Sequence, residues 1–276
     1  MAQTTVKPRI IRIWSTPDPR RIIAVAARMT YSNTPVDQLQ NRLTEEEIAR
    51  SVNAILERRH YSVLRHVSFS FAVTGVSRAF SHQLVRHTVG HAYEQRSQHY
   101  RKEKDFDYVL PGTVEFAGQQ EAYAGFMERA QEFYDELIKT GVPKEDARQV
   151  LPNATETHLI WTANLEAIVN FVRARACRVN TDEIKTIAAQ VRREVLKDLP
   201  EMAKYLGPTC LTQGVCFEGE KFFRECRAPW QTPCVLWTPE FPKQIRLVGV
   251  GGEETTAVCK FSSFRSTPAR KSSMTL

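Results

Sequence analysis

An α+β fold is predicted for this chain of 276 residues. One segment, Val67–Val76, alternates Val67, Phe69, Phe71 and Val73 with small polar residues, the period of a half-buried strand. Several longer segments carry apolar residues at helical spacing, and they do not alternate regularly with strands as βαβ units require. No G-x-G-x-x-G string occurs, so a dinucleotide cannot sit on the first turn of a Rossmann sheet.

The elements follow in order. Ile10–Trp14 reads as a first strand, and Pro17-Asp18-Pro19 opens a helix that runs to about Met29 with Ile22, Ile23, Val25 and Ala26 on one side. Thr44-Glu45-Glu46-Glu47 is a capping box in front of a helix carrying Ile48, Val52, Ile55 and Leu56. After the alternating strand, Ser77–His87 is read as a basic helix that places Gln83, Arg86 and His87 on one face. Glu121–Lys139 is a long helix with Phe126, Ala130, Phe133 and Leu137 at helical spacing, and Pro143 starts a shorter one. Thr157–Ala163 is strand-like. Two helices follow, Leu165–Ala176 and Thr181–Lys197, the second with Ile184, Ile187, Ala188, Val191 and Val195 on one stripe.

A chain with 42% hydrophobic residues can bury a substantial core. It has no run of 18 apolar residues to span a membrane and no secretory h-region near the N-terminus, so a cytoplasmic protein is expected. Residues 1–220 are read as the main domain. Residues 221–276 form an extension, broken by Pro229, Pro233, Pro239 and Pro242, with a flexible basic tail from Ser262. Of the six cysteines, Cys210, Cys216, Cys226, Cys234 and Cys259 crowd the last quarter. Their spacings are not those of paired zinc knuckles, so ordinary thiols and no metal are expected.

The formal net charge of +7 suits either a nucleic-acid surface or a funnel for small anions. The basic residues gather in 78–104 and 173–194 and do not form a long tract interleaved with exposed aromatics, which favours anionic cofactors and nucleotides. The window Phe80–Pro111 is the densest. From Arg78 to His91 it contains no acid, so its cations lack a local counter-ion and fit a bound phosphate.

This window resembles the signature of the flavin-dependent thymidylate synthases. Arg86-His87-Thr88 stands for R-H-R, and Ser97-Gln98-His99-Tyr100 for S-Q-R-Y. His60-Tyr61-Ser62-Val63-Leu64 with His66, Val76-Ser77-Arg78 with His82-Gln83, Leu151–Thr157 and Gly207-Pro208 with Cys210 are similar to further family strings, in the family's order, over about residues 10–220. The resemblance implies mixed helices around a central, largely antiparallel sheet, a homotetramer, and a site between subunits. It implies FAD as cofactor, NADPH as reductant, methylenetetrahydrofolate as carbon donor, and C5 methylation of a uridine monophosphate, by default dUMP.

Carried over by position, His60, Ser62, Arg86, His87 and Arg175 are implied flavin contacts. Gln83, Arg86, Glu94 or Gln95, Ser97, His99, His158 and Lys185 are implied nucleotide contacts, with Arg86 and Lys185 nearest the chemistry. The register of the 88–97 loop leaves Glu94 and Gln95 as alternatives. Several positions depart from the pattern. Thr88, His99, His158 and Lys185 replace basic family residues, and Arg65 replaces a Glu. Arg-to-His is not neutral at a phosphate site, which suggests a retuned substrate such as UMP or a modified pyrimidine nucleotide. If His87, His99 and His158 are the phosphate partners, affinity should weaken as pH rises from about 6 to 8. A degenerate flavoprotein or a nucleic-acid-binding protein on the same scaffold are the alternatives to an enzyme. No cysteine shows the low-pKa surroundings of a nucleophile, which agrees with flavin chemistry in place of thiolate addition.

Overall fold

The structure is a computed structural model that describes residues 4–100, 102–103, 105–218, 244–248 and 254–258. Four antiparallel strands form the central sheet: β1 (Arg9–Ser15), β2 (Ser68–Ser77), β3 (His91–Gln95) and β4 (Glu156–Asn164), in the order β1-β2-β4-β3. β2 alternates as its sequence demands, with Phe69, Phe71 and Val73 fully buried. Near its end the chain bulges against β4 between Val73 and Val76, at Gly75. Gly75 has a φ of 64°, and a Cβ there would stand 2.1 Å from the Lys7 carbonyl, so only glycine fits.

The inner face of the sheet is covered by α1 (Pro19–Arg28), α3 (Glu45–Glu57), α8 (Leu165–Arg175) and α9 (Asp182–Asp198). Asp18 caps α1 by accepting from Arg21 N–H, and the capping box of Thr44 and Glu47 forms in full at α3. The α9 stripe Ile184, Ile187, Ala188, Val191 and Val195 is fully buried. Burying side chains of this size contributes about 1.5–3 kcal/mol each, so the sheet and these helices make one core. Smaller elements are α2 (Val36–Arg42), α5 (Gly112–Phe116), α7 (Lys144–Ala147), α10 (Thr209–Thr212) and a 3-10 turn at Tyr61–His66.

Three sequence expectations are corrected. The basic helix is α4 (Arg78–Leu84), capped by the Ser77 side chain, and Arg86 and His87 lie beyond its end and not on its face. Part of the presumed 88–97 loop is strand β3, paired with β4 from His91 to Gln95. Its residues are too polar to announce a strand; the pairing with β4 makes it one. The long helix α6 (Gln120–Lys139) buries Met127, Ala130, Gln131 and Tyr134, whereas Phe126 and Phe133 stay half exposed. The two stripes share Ala130 and differ by a rotation of one residue. Packing of Met127 and Ala130 against Phe106 and Tyr108 selects the observed one.

In the extension, β6 (Gln244–Val248) pairs with β7 (Glu254–Val258) and runs parallel to β5 (Val215–Cys216), so residues either side of position 220 share a sheet. The prolines, the tail, Cys226, Cys234 and Cys259 lie outside the described residues.

Candidate active site

α4 organises the site, and its two ends carry different groups. At its start, the Ser77 hydroxyl accepts from Phe80 N–H at 3.0 Å and donates to Glu183 of α9 at 2.7 Å, while Ser77 N–H donates to the same carboxylate at 2.8 Å. One acid thus fixes the helix start against α9. Seven residues at 1.5 Å rise put the far end about 10 Å away.

At that far end Arg175, the last residue of α8, makes three bonds. Its Nε donates to His87 Nε2 at 2.9 Å, Nη1 to Asn180 Oδ1 at 3.2 Å, and Nη2 to the Gln83 carbonyl at 3.2 Å. The Gln83 side-chain oxygen accepts from the Thr181 hydroxyl at 3.3 Å. Lys185, one turn into α9, is held by Asp182 at 2.6 Å. Arg86 is exposed and has no partner among the described residues. Gln83, His87 and Arg175 therefore meet at the ends of three helices, with the Arg86 charge bearing on Arg175 and Lys185 one turn further along α9, as a cationic corner.

The histidine in this corner is neutral. An N–H pointing at Nε2 requires that nitrogen to be an acceptor, which places the His87 proton on Nδ1. Burial, and then the neighbouring Arg175 charge, hold its pKa below the usual imidazole value. In this arrangement His87 offers Arg175 a neutral acceptor.

Behind it lies a layer that the sequence did not announce. The Trp161 indole N–H donates to His91 Nδ1 at 3.0 Å, and the His91 ring stacks on Trp161 and Tyr93 at 5.8 and 5.9 Å. Burial and then His87 push the His91 pKa down to about 4. The Tyr93 hydroxyl lies 2.7 Å from the His87 carbonyl and 3.0 Å from that of Leu84. This fixes the backbone that carries Arg86 and His87. Such a layer depends on β3 facing β4, so spacing along the chain could not reveal it.

A second group lies along a cleft of about 430 Å³ on the outer face of the sheet, tied to the start of α4 by Arg78 Nη2, which donates to the Arg96 carbonyl at 2.8 Å. Glu94, Arg96, Ser97, Tyr100 and His158 line it. Successive strand residues point to opposite faces. Glu94 accordingly reaches the cleft, whereas Gln95 points inward and donates to Thr157 Oγ1 at 3.0 Å. Exposed His99 packs edge-on against Tyr100 at 4.8 Å, and its N–H donates to Ser97 Oγ at 3.1 Å. His60 and Ser62 are exposed at the 3-10 turn, with no side-chain bond to either group among the described residues. Arg65 pairs with Glu166. Cys177 and Cys216 are thiols whose pKa values burial pushes up, the opposite of what a nucleophile needs.

Residues 11–201 match the sequence family described as thymidylate synthase complementing protein. The chain is 38% identical over 214 residues to a flavin-dependent thymidylate synthase of Geobacter sulfurreducens, covering 76% of this chain and 91% of the relative. It is 37% identical over 221 residues to one of Clostridium tetani, covering 74% and 88%. The chain belongs to the flavin-dependent thymidylate synthase family. It is accordingly a flavin-dependent enzyme of the methyltransferase class. The fold agrees with that of a UMP/dUMP methylase, PolB, from Streptomyces cacaoi, solved with 5-Br dUMP. The TM-score is 0.62 at 22% identity, covering 72% of this chain and 94% of that one. Among the described residues no helix is long and apolar enough to cross a membrane, and no cluster of three or more His, Cys, Asp or Glu could hold a metal ion.

Proposed function

We propose that this enzyme methylates C5 of a uridine monophosphate, with dUMP as the default substrate, FAD as cofactor, methylenetetrahydrofolate as carbon donor and NADPH as reductant. The family match over residues 11–201, together with the cationic corner at the end of α4, carries this reading. The corner suits a polyanionic cofactor: Arg86 is exposed with free donors, and Arg175 is part-buried and already ordered. FAD, when bound, supplies the hydride chemistry that no activated cysteine of the described chain could replace. Arg86, His87 and Arg175, with His60 and Ser62, would hold it. His87 would act there as a neutral Nδ1–H donor. Gln83, Glu94, Ser97, His99, His158 and Lys185 would face the nucleotide, with Lys185 nearest the pyrimidine.

The same reading makes the enzyme a homotetramer. The two groups of site residues sit at opposite ends of α4, and the outer face of the sheet is apolar, with Ile11 47%, Ile13 55%, Trp14 50% and Ile160 48% exposed. An apolar sheet face of this kind is normally covered. UMP is the second candidate substrate, because His99, His158 and Lys185 stand where the family pattern has other basic residues.

The test compares turnover of dUMP and UMP by purified, FAD-loaded enzyme with methylenetetrahydrofolate and NADPH. The protein should be yellow and tetrameric, release FAD on denaturation, and convert at least one of the two nucleotides. A colourless protein that neither takes up FAD nor consumes NADPH would overturn the proposal.

A further inference from the structure

Near the start of α4, Arg78 and Arg96 stand beside one buried carboxylate, and the charge of a third arginine, Arg148, bears on Arg78. Glu103 is 2% exposed, and its Oε2 accepts from Arg96 Nη2 at 3.0 Å. Its other oxygen is buried without a hydrogen-bond partner among the described residues, and so are Arg96 Nε and Arg78 Nε. Arg78 Nη2 donates to the Arg96 carbonyl at 2.8 Å, and the charges of Arg148 and Arg96 both bear on Arg78. Among these described groups, one carboxylate stands against three guanidiniums, which favours an anion as a further partner.

Of these residues, Arg96 lines the outer cleft. It follows β3, and its N–H donates to the His158 carbonyl at 3.0 Å, which continues the β3–β4 ladder by one residue. With a period of two it emerges on the same side as Glu94. Arg96 Nη1 has no partner among the described residues. The ion pair to Glu103, whose own N–H donates to the Tyr134 hydroxyl at 3.2 Å, fixes the guanidinium before any ligand arrives. Among the residues lining the cleft, Arg96 is the one that carries a guanidinium. The Ser97 hydroxyl beside it accepts from His99 N–H, which leaves its proton free for an anion. Glu94 stands two residues away. It would repel a phosphate but accept from sugar hydroxyls, so one cleft offers separate places for the two polar parts of a nucleotide.

We infer that Arg96 is the phosphate-holding residue of the nucleotide site, ordered by Glu103. The inference rests on the nucleotide reading above and assigns its phosphate to one end of the outer cleft. Arg96 stands apart from the corner of Arg86 and Lys185, so it binds without acting at C5. Its loss should raise KM and leave kcat largely intact.

Breaking a buried pair can unfold a protein. The experiment therefore uses three variants of the full-length, flavin-loaded enzyme: Arg96→Gln, Arg96→Lys, and Arg96→Gln with Glu103→Gln, which removes both charges together. Dissociation constants are measured for dUMP, UMP and deoxyuridine, which lacks the phosphate. Expected for the folded double variant is a roughly 10–100-fold loss of nucleotide affinity, the range for a charge-assisted hydrogen bond, with deoxyuridine affinity unchanged. Arg96→Lys should fall between. Wild type that prefers nucleotide over deoxyuridine, with a folded double variant within about threefold of it, overturns the Arg96 assignment alone. Wild type with no preference for either nucleotide over deoxyuridine overturns the nucleotide reading, and this assignment with it.

Discussion

The two ends of α4 solve the problem of holding a cation in opposite ways. At the far end, Arg175 is held by neutral acceptors: the His87 ring, the Asn180 side chain and the Gln83 carbonyl. Among the described residues no carboxylate pairs with it, and burial and Arg86 oppose its charge. At the near end, Arg96 is held by a buried carboxylate, Glu103. Neutral acceptors fix direction and leave the charge whole for a ligand. A carboxylate fixes direction more firmly but cancels charge locally, so the near end needs its extra arginines, Arg78 and Arg148, to remain anion-seeking. A count of basic residues along the chain would treat both ends alike.

The largest expected effect comes from breaking the neutral-acceptor end. Arg175→Leu removes three hydrogen bonds and unties α8 from α4. Stability should fall by about 3 kcal/mol, and flavin affinity by at least about tenfold. Urea unfolding and flavin absorbance after gel filtration read the two effects separately. A folded variant that retains flavin at wild-type affinity would remove Arg175 from the site.

Next is the layer behind this end. The His91 pKa is about 4 when folded and rises to the ordinary value near 6.5 when unfolded. The unfolded chain then binds more protons between these values, so stability rises with pH from 4 to 6.5 and is fully present above. The loss on acidification should be no more than about 2 kcal/mol, because His91 is only part-buried and solvent screens it. His87, also shifted downward, adds in the same direction. Urea midpoints between pH 7.5 and 5 check this. His91→Gln should flatten part of the slope, and a wild type equally stable at pH 7.5 and 5 would contradict the neutral-histidine layer.

The smallest expected effect is that of Tyr93→Phe. Its hydroxyl meets only the backbone carbonyls of His87 and Leu84, so the loss should be about 1 kcal/mol. Nucleotide affinity at the other end of α4 should not change. A change there would show that the two ends are coupled.

Much of the frame was legible from the chain alone. The capping box at Thr44, the alternation of β2, the stripe of α9 and the order of the family strings are local patterns, and each is written in consecutive residues. The face of α6 was not legible. Stripes through Phe126 or through Met127 are equally good helices, and only Phe106 and Tyr108, brought up from elsewhere, choose between them. The division of Glu94 from Gln95 needed the register of β3 on β4, because a slip of one residue exchanges the faces.

Charge shows the same limit. The sequence determined that Arg86, His87, Arg96 and Arg175 are present, and that the window around the first three has too few acids to balance it. It could not determine that His87 is an acceptor or that Arg96 carries a carboxylate on one side and an open cleft on the other. Those properties belong to partners distant in the chain, Arg175 for His87 and β4 for Arg96, and a side chain's protonation and direction are set by what folding places beside it.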